Sequence, residues 1–119
     1  MAILVDEHAR STIAHRRARG RDATMTLQVA AIPHGGHALV ANWGPPHRPG
    51  RPMAHQRLGD LDLYVDERIA RYARWHDVTI SGWHLGPFEY LTIVREPIVL
   101  LEMARWERTH PALYHASLN

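Results

Sequence analysis

Ten histidines stand in this chain, and two of them, His34 and His37, flank a glycine pair in the run Pro33-His34-Gly35-Gly36-His37. Imidazole nitrogen is a good ligand for Fe(II), Zn(II), Ni(II) or Cu(II). A Gly pair permits backbone angles that side chains forbid, so both rings can turn toward one ion. Two ligands do not make a site, and no H-x-E-x-x-H or comparable spacing supplies the rest. Acid–base or nucleophilic catalysis has less to build on. Ser11, Ser81 and Ser117 lie outside any nucleophile-elbow pattern, and Asp60, Asp62 and Asp66 follow strand alternation into solvent or a helix cap. His76 and Asp77 are adjacent, so on a strand they would point apart. No nucleophile, base and orienting group assemble, and the chain is not expected to be an enzyme.

Composition removes whole classes of chemistry. There is no cysteine, which excludes disulfides, thiolate metal sites, thiolate-held iron–sulfur clusters and cysteine nucleophiles. Every basic residue is arginine, so Schiff-base lysines and P-loop lysines are excluded too. The formal net charge is only +2 and rises in mild acid as histidines take protons. The run RRARGR, Arg16 to Arg21, is short and free of aromatic residues. It reads as a solvated helix end, and nucleic acid is not expected as a partner. No apolar run approaches the roughly 18–20 residues needed to cross a bilayer, and MAILVDEHARS has neither a basic lead nor a long apolar core. A single cytoplasmic domain of 119 residues is expected, with no membrane contact.

The elements that position the histidines follow from periodicity. Asp6 is a natural N-cap and Glu7 suits the first turn of a helix bearing Ala9, Ile13 and Ala14, with Gly20 as its stop. Thr26 to Trp43 holds two strands around the PHGGH turn, with Leu27, Val29 and Ala31 on one face of the first. GPPHRPGRP, Gly44 to Pro52 and including His47, is an exposed loop. Met53 to Leu58 reads as a strand, Gly59 and Asp60 as a turn, and Leu61, Leu63 and Val65 as the inward residues of another strand. Asp66 caps a short helix carrying Ile69, Tyr72 and Ala73. Val78 to Ser81 reads as a strand, GWHLGP as a loop, and Phe88 to Val94 as a final strand. Glu96-Pro97 opens a last helix, since proline suits the first helical position. Ile98, Val99, Leu101, Met103, Arg105 and Trp106 give it a wide apolar surface ending near Thr109. Trp43, Trp75, Trp83 and Trp106 read as core or interface anchors. The tail ALYHASLN, with His115, carries no signal.

LDLYVDERIARY, a strand running into an Asp and a short helix, and GPFEYL, a Gly-x-Phe strand near the end, resemble segments of the HesB/IscA-like A-type iron–sulfur carriers. The similarity runs from about Val5 to Val94. It implies an α+β domain over residues 1–95. That domain would have a curled, mostly antiparallel or mixed sheet, an N-terminal helix and a short middle helix. Residues 96–119 would be an added C-terminal helical extension of the same compact unit. The family's first cluster ligand is a cysteine in a Gly-Cys-Ser-Gly turn, and the matching turn here places His34 at that point. Its Cys-Gly-Cys tail is missing.

The resemblance also implies that the final hairpin lies beside the central turn, which would make His84 a third ligand to His34 and His37, with Glu89 or His76 as a fourth. Two expectations follow. One is a non-catalytic accessory or protein-interaction domain that has lost cysteine-based cluster binding and pairs as a homodimer through the C-terminal helix, with no cofactor. The other is a protein holding a single divalent transition metal on His34, His37 and His84.

Overall fold

The computed structural model describes residues 2–33, 35–46 and 53–110. These form, in order, β1 (Ile3–Val5), α1 (Glu7–Ala18), β2 (Thr24–Ala31), β3 (His37–Trp43), β4 (Met53–Leu58), β5 (Leu61–Asp66), α2 (Glu67–Ala73), β6 (Val78–Leu85), β7 (Phe88–Ile93) and α3 (Glu96–Thr109).

Local chemistry sets the helix ends. Asp6 is extended and its carboxylate accepts the Ala9 N–H at 2.8 Å, satisfying one of the donors that a helix start leaves open. Gly20 then takes φ +75, which ends α1 where the sequence predicts. The buried face of α1 is Ala9, Thr12 and Ile13, and Ala14 is exposed. Thr12 tolerates burial because its hydroxyl donates to the His8 carbonyl one turn back, at 2.9 Å. Asp66 is a second acidic cap. Its carboxylate accepts the Arg68 N–H at 3.0 Å and reaches the Val29 N–H at 3.4 Å, fastening the start of α2 to β2.

The strands form two mixed sheets, in the orders β1-β6-β7 and β3-β2-β5-β4. In the larger, β2 pairs antiparallel with β3 through Met25↔Trp43 to Ala31↔His37, and parallel with β5 through Thr24↔Asp62 to Leu27↔Val65. In the smaller, β1 pairs parallel with β6 and β6 pairs antiparallel with β7. The fold is therefore α+β, as the sequence implies, with the strands divided between two sheets instead of one curled sheet. Trp83, His84 and Leu85 belong to β6 and not to a loop, because Gly86 (φ +56) and Pro87 make a two-residue turn that carries pairing out to Leu85↔Phe88.

One core joins both sheets. Met25, Leu27 and Val29 of β2 and Leu61, Leu63 and Val65 of β5 meet Val78 and Ile80 of β6, Leu91 and Ile93 of β7, and Ile69 and Tyr72 of α2. From α3, Met103 and Trp106 enter this core while Ile98 and Leu101 stay exposed, so the apolar stripe of α3 is narrower than its sequence suggests. Arg68 forks onto Glu107, and the Tyr72 hydroxyl donates to Glu102 at 2.9 Å, tying α2 to α3. Burial and that carboxylate raise the Tyr72 phenol to about 12. Among the described residues no helix is long and apolar enough to cross a membrane.

Candidate functional site

His34, His47 and His115 lie outside the described residues. His37 opens β3, exposed, beside the turn in which Gly35 (φ +92) and Gly36 (φ +87) take the left-handed angles the sequence calls for. His84 sits in β6 opposite Glu89. The fold does not bring His37 to them. The Trp43 indole N–H donates to the Glu89 carbonyl at 2.9 Å, and the Leu39 N–H donates to the Glu96 carboxylate at 2.7 Å. The chain from Glu89 to Glu96 thus runs along β3 from its Trp43 end to its Leu39 end. His37 lies beyond Leu39, six residue steps along the strand from Trp43, about 20 Å. His76 follows α2, stacked on Tyr72 at 4.4 Å. Among the described residues no group of three or more His, Asp or Glu is placed to hold a metal ion.

His84 instead belongs to a seam that clamps the β6–β7 hairpin onto α1. Its centre is Glu89, whose side chain is only 1% exposed. Nδ1 of His15 stands 2.7 Å from one carboxylate oxygen, and Arg16 and Arg21 approach the other at 3.4 and 3.7 Å. Burial alone would raise the Glu89 carboxyl. The hydrogen bond from His15 and the charges of His15, Arg16 and Arg21 outweigh it and hold the group below the ordinary carboxylate value.

The His15 ring stacks on His84 with centroids 4.3 Å apart. The Arg16 guanidinium lies 4.1 Å over the Trp43 ring. Arg16 is therefore drawn inward, while Arg17, Arg19 and Arg21 stay exposed as expected of a solvated helix end. Gly82 makes the seam close, since a Cβ there would meet the Tyr90 carbonyl and a Leu91 methyl at 2.7 Å and the Thr12 hydroxyl at 3.1 Å.

A carboxylate that orients an imidazole is half of a general-base arrangement. The other half is missing from this cluster. Its one hydroxyl, Thr12, already donates to His8 and contacts His84 at 3.4 Å. The seam holds the hairpin in place, and its side-chain hydroxyl is already engaged.

The opposite face of the same sheet is the surface left open. Strand alternation turns Ile80, Gly82, His84, Glu89, Leu91 and Ile93 inward, so Ser81, Trp83, Leu85, Phe88, Tyr90 and Thr92 point out. Trp83 and Tyr90 stack across the strands with centroids 4.6 Å apart. Exposure is 52% for Trp83, 72% for Leu85, 58% for Phe88 and 47% for Tyr90, and Leu4, Val94 and Ile98 extend the apolar surface. A fully exposed aromatic side chain presents roughly 150–250 Å², so the patch amounts to about 600–700 Å². An ordinary monomer's largest patch is roughly 300–600 Å², and each side of a standard protein interface buries about 800 Å². No charged residue stands among those the two strands turn outward. Sequence reasoning missed this face because reading GWHLGP as a loop broke the alternation that displays it. Trp75, also taken as an anchor, is half exposed after α2.

No family model, curated protein or solved structure matches this chain.

Proposed function

We propose that the chain is a non-catalytic interaction domain that pairs with a second copy of itself through the outer face of β6 and β7. The observation that carries this reading is the aromatic, charge-free face of Trp83, Leu85, Phe88 and Tyr90. A two-fold contact sets each residue near its own counterpart, so charges there would repel, and β6 and β7 turn none outward. Two such faces stacked about 10 Å apart would bury an apolar area of the size a stable dimer needs. The HesB/IscA-like scaffold is part of the same proposal. It is supported by the order of elements in the two segments that carry the resemblance, a strand entering an Asp-capped helix at Asp66 and a hairpin strand opening at Phe88.

The pairing expected through the C-terminal helix has less support, because Met103 and Trp106 are spent on the core. A divalent ion on His34, His37 and His84 also has less, given the span between His37 and His84. Light scattering on a sizing column separates the two modes of pairing. Trp83→Glu and Tyr90→Glu should each convert a dimer to the 13.6 kDa monomer with the circular dichroism unchanged, and Leu101→Glu should leave the dimer intact. A dimer lost only in Leu101→Glu, or a wild-type protein that is monomeric at about 100 µM, overturns the proposal.

A further inference from the structure

We infer that the open edge of β1 takes up an extended peptide as a fourth strand of the β1-β6-β7 sheet, because the outward backbone groups of Ile3 and Val5 stand beside an apolar groove. This does not rest on the self-association reading.

The direction of those groups follows from the ladder. Val78 donates its N–H to the Ala2 carbonyl at 2.9 Å, and Asp6 donates its N–H to the Ile80 carbonyl at 3.0 Å. Alternate residues of a strand bond to opposite neighbours, so residues 2, 4 and 6 serve β6 while the N–H and C=O of Ile3 and Val5 point the other way. Beside them lies a groove of about 540 Å³, walled by Ile13 and Ala14 of α1 and by Leu58 at the β4–β5 turn, with Arg10 and Asp60 as its charged points.

The other sheet edges are handled differently. The Trp43 indole caps the outward Glu89 carbonyl of β7, and Glu96 caps the Leu39 N–H of β3. β4 carries His55, Gln56 and Arg57, the polar and charged side chains that discourage edge pairing. Ile3, Leu4 and Val5 carry no charge at all.

The chemistry of the groove selects its occupant. Two donors and two acceptors, repeating at about 6.6 Å along the edge, match an extended peptide backbone. A hydrocarbon chain would fill the apolar volume and leave those groups unpaired. Aliphatic side chains at alternate peptide positions would face Ile13, Ala14 and Leu58. An acidic residue at the Arg10 end completes the match.

The test titrates the ¹⁵N-labelled full chain with acetyl-Glu-Val-Thr-Val-Thr-amide. Saturable shifts are expected at the Ile3 and Val5 amides and at Leu58. Methylating alternate peptide nitrogens of the probe should weaken it at least tenfold, since those donors make the strand pairing. Val5→Pro removes an outward N–H and spares the ladder to β6, and it should weaken binding at least fivefold. Ala14→Trp fills the groove from an exposed helix position and should do the same with circular dichroism unchanged. Absence of saturable shifts up to about 5 mM peptide overturns the inference. So does equal binding of the methylated probe, or decanoate shifting the same signals more tightly than the peptide. Repeating the titration on Tyr90→Glu keeps the outcome separate from that of the dimer.

Discussion

Replacing Glu89 by Gln keeps the shape of the side chain and removes the charge at the centre of the α1 seam. At pH 7 the carboxylate is ionised, almost fully buried and bonded to His15 at 2.7 Å, with the arginine contacts longer at 3.4 and 3.7 Å. A hydrogen bond to a charged group contributes about 1.5–3 kcal/mol and a neutral one about 1 kcal/mol. Gln retains one acceptor, and half-exposed Arg21 is screened by solvent, so the expected loss is about 1–2 kcal/mol.

The sign of the pH dependence follows from the lowered carboxyl. Because the folded value lies below the unfolded one, the contribution of Glu89 is complete above the ordinary carboxylate range. It is lost as pH falls through the folded value. Urea unfolding of wild type and Glu89→Gln at pH 7, 5 and 3 measures this. The midpoints should differ at pH 7 and converge toward pH 3, with equal m-values. Equal midpoints at pH 7, or a gap that does not shrink in acid, would refute the reasoning.

Gly82→Ala should cost about 1–3 kcal/mol in the same assay, because its Cβ would meet the Tyr90 carbonyl at 2.7 Å and backbone must move. Asp66→Ala removes the cap of α2 and the contact to the Val29 N–H, and should cost about 1–2 kcal/mol, read as a lower thermal midpoint. In an absorbance titration at 295 nm the Tyr72 phenol should ionise only near its value of about 12, and Tyr72→Phe should remove that late step. The neutral phenol's contribution is whole below pH 10 and lost as pH rises through 12, so stability should fall there. Protein purified without an affinity tag should carry no stoichiometric metal. Near-stoichiometric metal that disappears in a His34→Ala, His37→Ala double variant would favour the metal-binding expectation.

Local signals in the sequence located most elements. Asp6 and Asp66 fall at both predicted caps, and Gly20, Gly59 and the Gly35-Gly36 pair turn the chain where expected, all with positive φ. Misses came where partners are distant. Three residues, Ile3 to Val5, show no alternation of their own and become a strand only by pairing with Val78 to Ile80. His15 and Glu89 stand 74 positions apart, and neither has a local pattern that foretells a buried pair. Ala14, expected on the apolar stripe, is exposed, and Thr12 is buried in its stead because its hydroxyl finds an acceptor one turn back. Trp83, His84 and Leu85 were masked by flanking glycines, although Gly82 serves a close approach and only Gly86 makes a turn.

Sedimentation equilibrium of the wild-type chain from about 5 to 200 µM, beside Tyr90→Glu, tests the self-pairing face most directly. Self-pairing predicts a mass rising to twice 13.6 kDa for the wild type and a constant 13.6 kDa for the variant. A wild-type mass that stays monomeric throughout, or a variant that dimerises as well as the wild type, would contradict it.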